Sequence, residues 1–280
     1  MAGEAILVGV CGPLDDLLRP ALKDLQGHAG ERPDIAFFDM GDVGRNPSRI
    51  IAAMRDFTAA HDERGTRHVS EPLWPNRPAL EMVEAMRHEA LVNLAFPEPA
   101  TAAVLCLYDT AGLDPDIAAS AEQTHPTMIR DGTPQDSSRY AGPGTMPAGC
   151  ASALAPPPRH ASQLSYRRDL RPVREQVAAC AREAGMADDR VGDLMLAASE
   201  VAANTLHHTQ GSGTLRVWRD KHGVVCQVED SGTIADPLAG RYRPVAGPSG
   251  HGLWVVNQLC DLVELRSGDT GTVVRMHMNL

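Results

Sequence analysis

Apolar positions recur along this chain in two rhythms. Through the first 130 residues, short unbroken apolar runs, AILVGV (5–10), IAFFDM (35–40) and AAVLCLYD (102–109), are separated by stretches of helical period, LDDLLRPALKDLQGH (14–28) and NPSRIIAAMRDFTAAH (46–61). Continuous apolar strands are buried on both faces, and the helices between them supply the cover. The pattern therefore predicts an α/β domain with a mainly parallel sheet. From residue 164 onward the rhythm changes. A helix beginning at Pro172 and another over Asp188–His208 precede two alternating strands, TLRVWR (214–219) and VVCQVED (224–230), that meet at the turn DKHG. After a long loop come a helix near Gly252 and two further strands, LVELRS (262–267) and TVVRMHM (272–278), joined by GDTG. Two hairpins with helices between them predict an α+β layer, helices on one face of a largely antiparallel sheet.

Between these regions, residues 131–163 are rich in Pro, Gly, Ser and Ala, with no sustained period and a run of three prolines at Pro156–Pro158. By composition this is a linker. It separates a domain over 1–130 from one over 164–280, both of ordinary size, and no internal repeat is visible.

Charge and composition narrow the function. The formal net charge is −10 and the 26 basic residues form no run of five, which disfavours a nucleic-acid surface and points to protein partners. No stretch approaches the roughly 18 apolar residues of a membrane span. The N-terminus lacks the basic-then-apolar order of a secretory signal, so the reading is a cytoplasmic protein. Six cysteines lie at least 30 residues apart, without the paired spacing of a zinc site or a disulfide framework, and read as buried free thiols.

Candidate chemistry concentrates in the second region. On the helix DDRVGDLMLAASEVAANTLHH, Val191, Leu194, Met195, Ala198, Val201, Ala202 and Thr205 share one side, while Glu200, Asn204 and His207 share the opposite one. Glu200 and Asn204 are thus neighbours, either as part of a solvated polar face or as a metal and water site with Asn204 offering an oxygen to Mg²⁺ and Glu200 accepting a proton. The strand ending VEDSG places Asp230 and Gly232 at its carboxyl end, where the carboxylate can accept from an exocyclic amine beside room for a flat ring. An ordinary turn explains the same letters. The stretch GPSGHGLW (247–254) runs from a glycine-rich loop directly into a helix; it is a phosphate-covering loop or a poor start to an ordinary helix. In the first region Asp39, Asp42 and Asp109 follow strands, as ligand residues or as helix caps.

In order, Glu-x-x-x-Asn on a helix, Asp-x-Gly after a strand and Gly-x-x-Gly-x-Gly-Leu opening a later helix form the sequence of boxes of the GHKL (Bergerat-fold) ATPases, which residues 165–280 resemble. The Rossmann spacing differs, and no P-loop motif occurs. ASEVAANTLHH, VEDSGTIADPLAGR, GHGLWVVNQLCDLVELRS and GTVVRMHM are most similar to the anti-sigma-factor serine kinases. That resemblance implies an α+β Bergerat sandwich binding ATP and Mg²⁺. Glu200 would then be the general base, Asn204 the Mg²⁺ ligand, Asp230 the adenine partner and Gly232 the ring contact. Gly250, His251, Gly252 and Leu253 would form the triphosphate cradle, under a lid of about Asp236 to His251. One departure stands out: where many members carry a second glycine in Asp-x-Gly-x-Gly, this chain has Ile234.

FFDMGDVGRNPSRIIAAMRDF, SEPLWPNRPALEMVEAMRHEALVNLAF and LCLYDTAGLDPDIAASAEQTHP resemble the MEDS sensory domain over about residues 2–126. The pairing resembles RsbA-type anti-sigma regulatory proteins. Members of that family begin with a further helix and strand before AGEAILVGV, so the expectation is a sheet short of one element or a start upstream of Met1. Glu71, Trp74, Arg87, His88, Glu89 and Tyr108 are the candidate sensor residues, but Arg87, His88 and Glu89 are consecutive on a helix and cannot all face one pocket. His88 with Glu89 lacks a second histidine at helical spacing for a metal pair.

The function expected from the resemblance is partner switching. The chain would bind a sigma factor and phosphorylate a serine or threonine of a STAS-domain anti-anti-sigma factor. Related kinase modules commonly dimerise, which leaves a homodimer open. The alternative is a nucleotide-gated binding module without kinase activity. A sensor histidine kinase is disfavoured, because His160 sits among prolines that forbid a phosphoacceptor hairpin.

Overall fold

The structure is a computed structural model describing residues 4–28, 34–98, 101–147, 149–209, 211–244 and 250–280. It comprises two compact units, Met1–Ala151 and Ser152–Leu280. No helix among the described residues is long and apolar enough to cross a membrane.

The first unit runs β1 (Ala5–Val10), α1 (Gly12–His28), β2 (Asp34–Asp39), α2 (Met40–Val43), α3 (Ser48–Ala60), β3 (Thr66–Ser70), α4 (Ala79–Ala95), β4 (Ala102–Cys106), α5 (Pro115–Thr124), β5 (Thr127–Arg130) and β6 (Thr133–Asp136). Strands β1 to β4 form a wholly parallel sheet in the order β2-β1-β3-β4, as the apolar runs predict. Asp39 caps α2, accepting from the Gly41 amide at 2.7 Å, whereas Asp109 closes a turn, accepting from the amides of Ala111 and Gly112 at 3.0 and 3.1 Å, and the cap of α5 is Asp114. Strand β3, TRHVS, is central to the sheet yet only Val69 is aliphatic, so no apolar run announces it. Thr66 and His68, both buried, meet α3 instead. Thr58 Oγ1 of α3 lies 3.1 Å from Thr66 Oγ1 and 2.9 Å from His68 Nε2.

His68 is 1 % exposed, between the rings of Phe57 and Phe96. Burial penalises its charged form and lowers its pKa from 6.5 to about 4. An unfolded chain binds this proton first. His68 therefore contributes stability that is complete above pH 6.5 and is lost as pH falls toward 4, up to about 3 kcal/mol at about 1.4 kcal/mol per unit. Urea unfolding of wild type and His68→Gln across pH 7 to 4 is expected to show a steeper loss in the wild type.

The stretch 131–163 is divided between the units. Thr133–Asp136 pairs with β5, the Gly144 amide donates to Ala90 O at 2.9 Å, and Arg87 donates to Cys150 O at 2.6 Å. Farther along, Arg266 donates to Ser152 O at 3.1 Å and Arg275 to Ala155 O at 2.6 Å, which lays residues 152–155 on the second unit.

The second unit continues with β7 (Ser162–Arg167), α6 (Arg171–Glu183), α7 (Asp188–His208), β8 (Ser212–Arg219), β9 (Gly223–Asp230), α8 (His251–Leu259), β10 (Leu262–Gly268) and β11 (Gly271–Asn279). Its antiparallel sheet is ordered β10-β11-β9-β8-β7. The three helices cover one face through a core that includes Val177, Leu194, Val201, Leu215, Val228, Val256 and Met276. This is the expected α+β sandwich. Strand β7 went unpredicted because SQLSYR places only Leu164 and Tyr166 among polar residues. Of the six cysteines, Cys150, Cys226 and Cys260 are buried and Cys11, Cys106 and Cys180 half-buried.

Candidate functional site

Helix α7 sets the site by the way it packs. Val191, Leu194, Ala198, Val201, Ala202 and Thr205 are buried against the sheet and Met195 is half-buried, so Glu200 and Asn204 are turned away from the sheet toward α8. Beside them lies a cavity of about 630 Å³, within the ordinary range for small-molecule sites. Asn204, Asp230, Gly232, Gly250, Gly252 and Leu253 all line it. Three segments far apart in sequence therefore converge.

At one end, β9 stops at Asp230. Its Oδ2 accepts from Thr205 Oγ1 at 2.6 Å, and its Oδ1 from the Gly232 amide at 2.8 Å. An ionised carboxylate has about four lone-pair positions, so acceptor capacity remains for a donor in the cavity. The antiparallel register puts Thr272 of β11 opposite Asp230, and Thr272 Oγ1 donates to Gly232 O at 2.8 Å. Thr205 and Thr272 thus hold the Asp-x-Gly turn. Sequence reading missed both roles: Thr205 sits on the apolar side of α7, and Thr272 is placed by strand pairing alone.

At the other end, α8 begins with its amides toward the cavity. Its cap residue Gly250 is left-handed, φ 92°, a conformation that L side chains resist, and no side chain caps the helix. The first N–H groups are consequently available to an anion. Gly252 comes close to the polar pair on α7: a Cβ there would stand 3.1 Å from Glu200 Oε2 and 3.2 Å from the Asn204 amide nitrogen. Glu200 lies at this junction rather than on the cavity wall, and His251 does not line the cavity although Leu253 does. Among the described residues lining the cavity, none is Lys or Arg. Charge neutralisation of a bound polyanion would fall to helix amides and a metal ion.

Asp236, Ala239, Gly240, Tyr242 and Pro244 also line the cavity. Asp236 accepts from the Leu238 amide and from Tyr242 Oη, both at 2.8 Å, while Asn257 of α8 donates to Gly240 O at 2.9 Å. Residues 245–249 of the expected lid lie outside the described residues. Ile234, at the departing position, lines the cavity, and its amide donates to Ser267 Oγ at 2.8 Å.

The arrangement fits Mg²⁺ and an adenine nucleotide. Asn204 offers a hard oxygen, with a carboxylate adjacent, beside a helix start that a Cβ would crowd. Asp230 offers an acceptor at the other end of a cavity of suitable size.

In the first unit the sensor candidates separate. Glu71 and His88 are buried. Trp74 stacks on the buried Arg77 at 4.0 Å, and Arg87 turns to Cys150. Glu89 and Tyr108 meet, where Tyr108 Oη donates to Glu89 Oε2.

Comparison with known families agrees with this division. Residues 165–278 match the histidine kinase-like ATPase domain, and residues 1–126 match MEDS, the methanogen/methylotroph, DcmR sensory domain. No curated protein matches the chain.

Proposed function

We propose that this chain, which joins an N-terminal MEDS domain to a C-terminal histidine kinase-like ATPase domain, is an ATP-dependent anti-sigma regulator working by partner switching in the cytoplasm. The observation that carries the nucleotide reading is the convergence of Asn204, Asp230, Gly232, Gly250 and Gly252 on one cavity, with Glu200 at its edge. In this reading Asp230 accepts from the exocyclic amine of adenine, and the α8 amides with Gly250, His251, Gly252 and Leu253 hold the triphosphate. Asn204 would hold Mg²⁺, which would supply charge neutralisation to the phosphates.

The acceptor is a serine or threonine hydroxyl of a STAS-domain partner. Its oxygen bonds to the γ-phosphorus as the bond to the β–γ bridging oxygen breaks, ADP departs, and Glu200 takes the hydroxyl proton. The product carries about two negative charges, repulsive in an unpaired interface, and the sigma factor is exchanged accordingly. Transfer of label from γ-labelled ATP to a STAS partner tests this. Glu200→Ala is expected to slow transfer by about 100- to 10,000-fold, with Mg·ATP affinity little changed.

Ile234 favours a second reading, a nucleotide-gated binding module without transfer, because it puts a branched side chain on the cavity wall where many similar sequences have glycine. Nucleotide binding without label on any STAS partner would select it.

A further inference from the structure

A second cluster lies in the first unit, on elements that no local motif connects. Glu89 is on α4, Cys106 ends β4, and His125 follows the last residue of α5. Each brings one donor atom within 4.8 Å of the other two. Cys106 Sγ is 3.4 Å from Glu89 Oε1, and His125 Nε2 is 3.2 Å from Glu89 Oε2. The Glu89 side chain is 2 % exposed and that of His125 18 %.

The histidine's other nitrogen makes the contact informative. His125 Nδ1 is 2.9 Å from the Ala121 carbonyl oxygen, which can only accept, so Nδ1 carries the hydrogen. A neutral His125 would then aim the Nε2 lone pair at a carboxylate oxygen, two acceptors face to face. Something positive belongs between them, either a proton or a metal ion. A proton satisfies that pair alone, whereas sulfur, nitrogen and oxygen donors converge here together. From ordinary zinc bond lengths, a tetrahedral site has N···O edges of about 3.4 Å and S···O edges of about 3.6 Å, close to the separations present. A backbone carbonyl on the far nitrogen is also the usual way in which a metal-bound histidine is oriented.

We propose that Glu89, Cys106 and His125 bind one Zn²⁺ ion through the Glu89 carboxylate, whose two oxygens face Sγ and Nε2 respectively, together with Sγ and Nε2 themselves. Mixed O, N and S donors suit a metal of borderline softness, not Mg²⁺ or Ca²⁺. Three protein ligands leave a fourth position for an exogenous ligand. Tyr108 Oη, bonded to Glu89 and 3.4 Å from His125 Nε2, stands beside the cluster to hydrogen-bond that ligand. The first unit would accordingly sense through a metal.

The test is titration of the chelator-treated full chain with Co²⁺, a spectroscopic substitute for Zn²⁺. The expected result is one ion per chain, intense tetrahedral visible bands, a near-ultraviolet thiolate charge-transfer band, and displacement by Zn²⁺. Cys106→Ser is expected to abolish the charge-transfer band. His125→Asn should weaken binding by more than about 100-fold, since losing even an outer-sphere partner costs about 10- to 100-fold. Cys11→Ser, in the same unit, should change neither. Near-ultraviolet circular dichroism checks that each variant is folded. Failure of the wild-type chain to give the charge-transfer band overturns the proposal without recourse to any variant and leaves a proton shared by Glu89 and His125. Persistence of the band in folded Cys106→Ser overturns it equally.

Discussion

Gly252→Val is expected to reduce Mg·ATP affinity by more than about 100-fold while leaving the fold intact. A Cβ at this position already stands 3.1 Å from Glu200 Oε2 and 3.2 Å from the Asn204 amide, and the two γ-methyls of valine reach further. Both polar side chains must move from the place where metal and phosphates are to be held, and a displaced preorganised site is penalised in every complex it forms. Gly252→Ala separates binding from stability. Alanine raises the helix propensity of the first turn of α8 by about 0.5–1 kcal/mol, which should raise the melting temperature slightly while nucleotide binding weakens. Calorimetric binding and thermal unfolding, measured on the same variants, check both halves. Equal affinity in Gly252→Val and wild type would show that this approach of α8 to α7 has no part in binding.

The second large effect is that of Asp230→Ala, expected to weaken adenine-nucleotide binding by about 10- to 100-fold, the factor equivalent to a hydrogen bond with a charged group, about 1.5–3 kcal/mol. The carboxylate does two things here. It offers acceptor sites to the cavity, and it organises its own turn through Thr205 and the Gly232 amide. Asp230→Asn distinguishes them, because its amide oxygen can keep the Gly232 bond at the Oδ1 position while the Oδ2 position becomes a donor, to which Thr205 Oγ1 can act as acceptor. Base specificity is the readout: Asp230→Asn should lose its preference for ATP over GTP, and Asp230→Ala should bind both weakly. Unchanged discrimination in both variants would remove Asp230 from the base contact.

Much of this geometry was legible in the letters because α7 is strongly two-sided. Once Leu194, Ala198 and Val201 are assigned to the sheet, helical period turns Glu200 and Asn204 the other way, and that is where they lie. The glycine-rich approach to α8 was readable as a backbone that comes close to an anion; that Gly252 also lies against Glu200 and Asn204 was not. What stayed hidden depends on pairing across strands or between distant elements. Thr272 reaches the Asp-x-Gly turn only through the β9–β11 register. Strand β3 escaped notice because its interior side chains are Thr66, His68 and Ser70, of which Thr66 and His68 find a partner in Thr58. His88 and Glu89 suggested a metal pair lacking its second histidine; the histidine beside Glu89 comes from 36 residues away, at the end of α5. No helical spacing could reveal it.

Titration calorimetry of the full chain with Mg·ATP tests the central claim most directly. A saturable isotherm with one nucleotide per chain, weakened by removing Mg²⁺ and by Asp230→Ala, is the predicted result. Absence of heat at millimolar Mg·ATP, or binding indifferent to both changes, would contradict it.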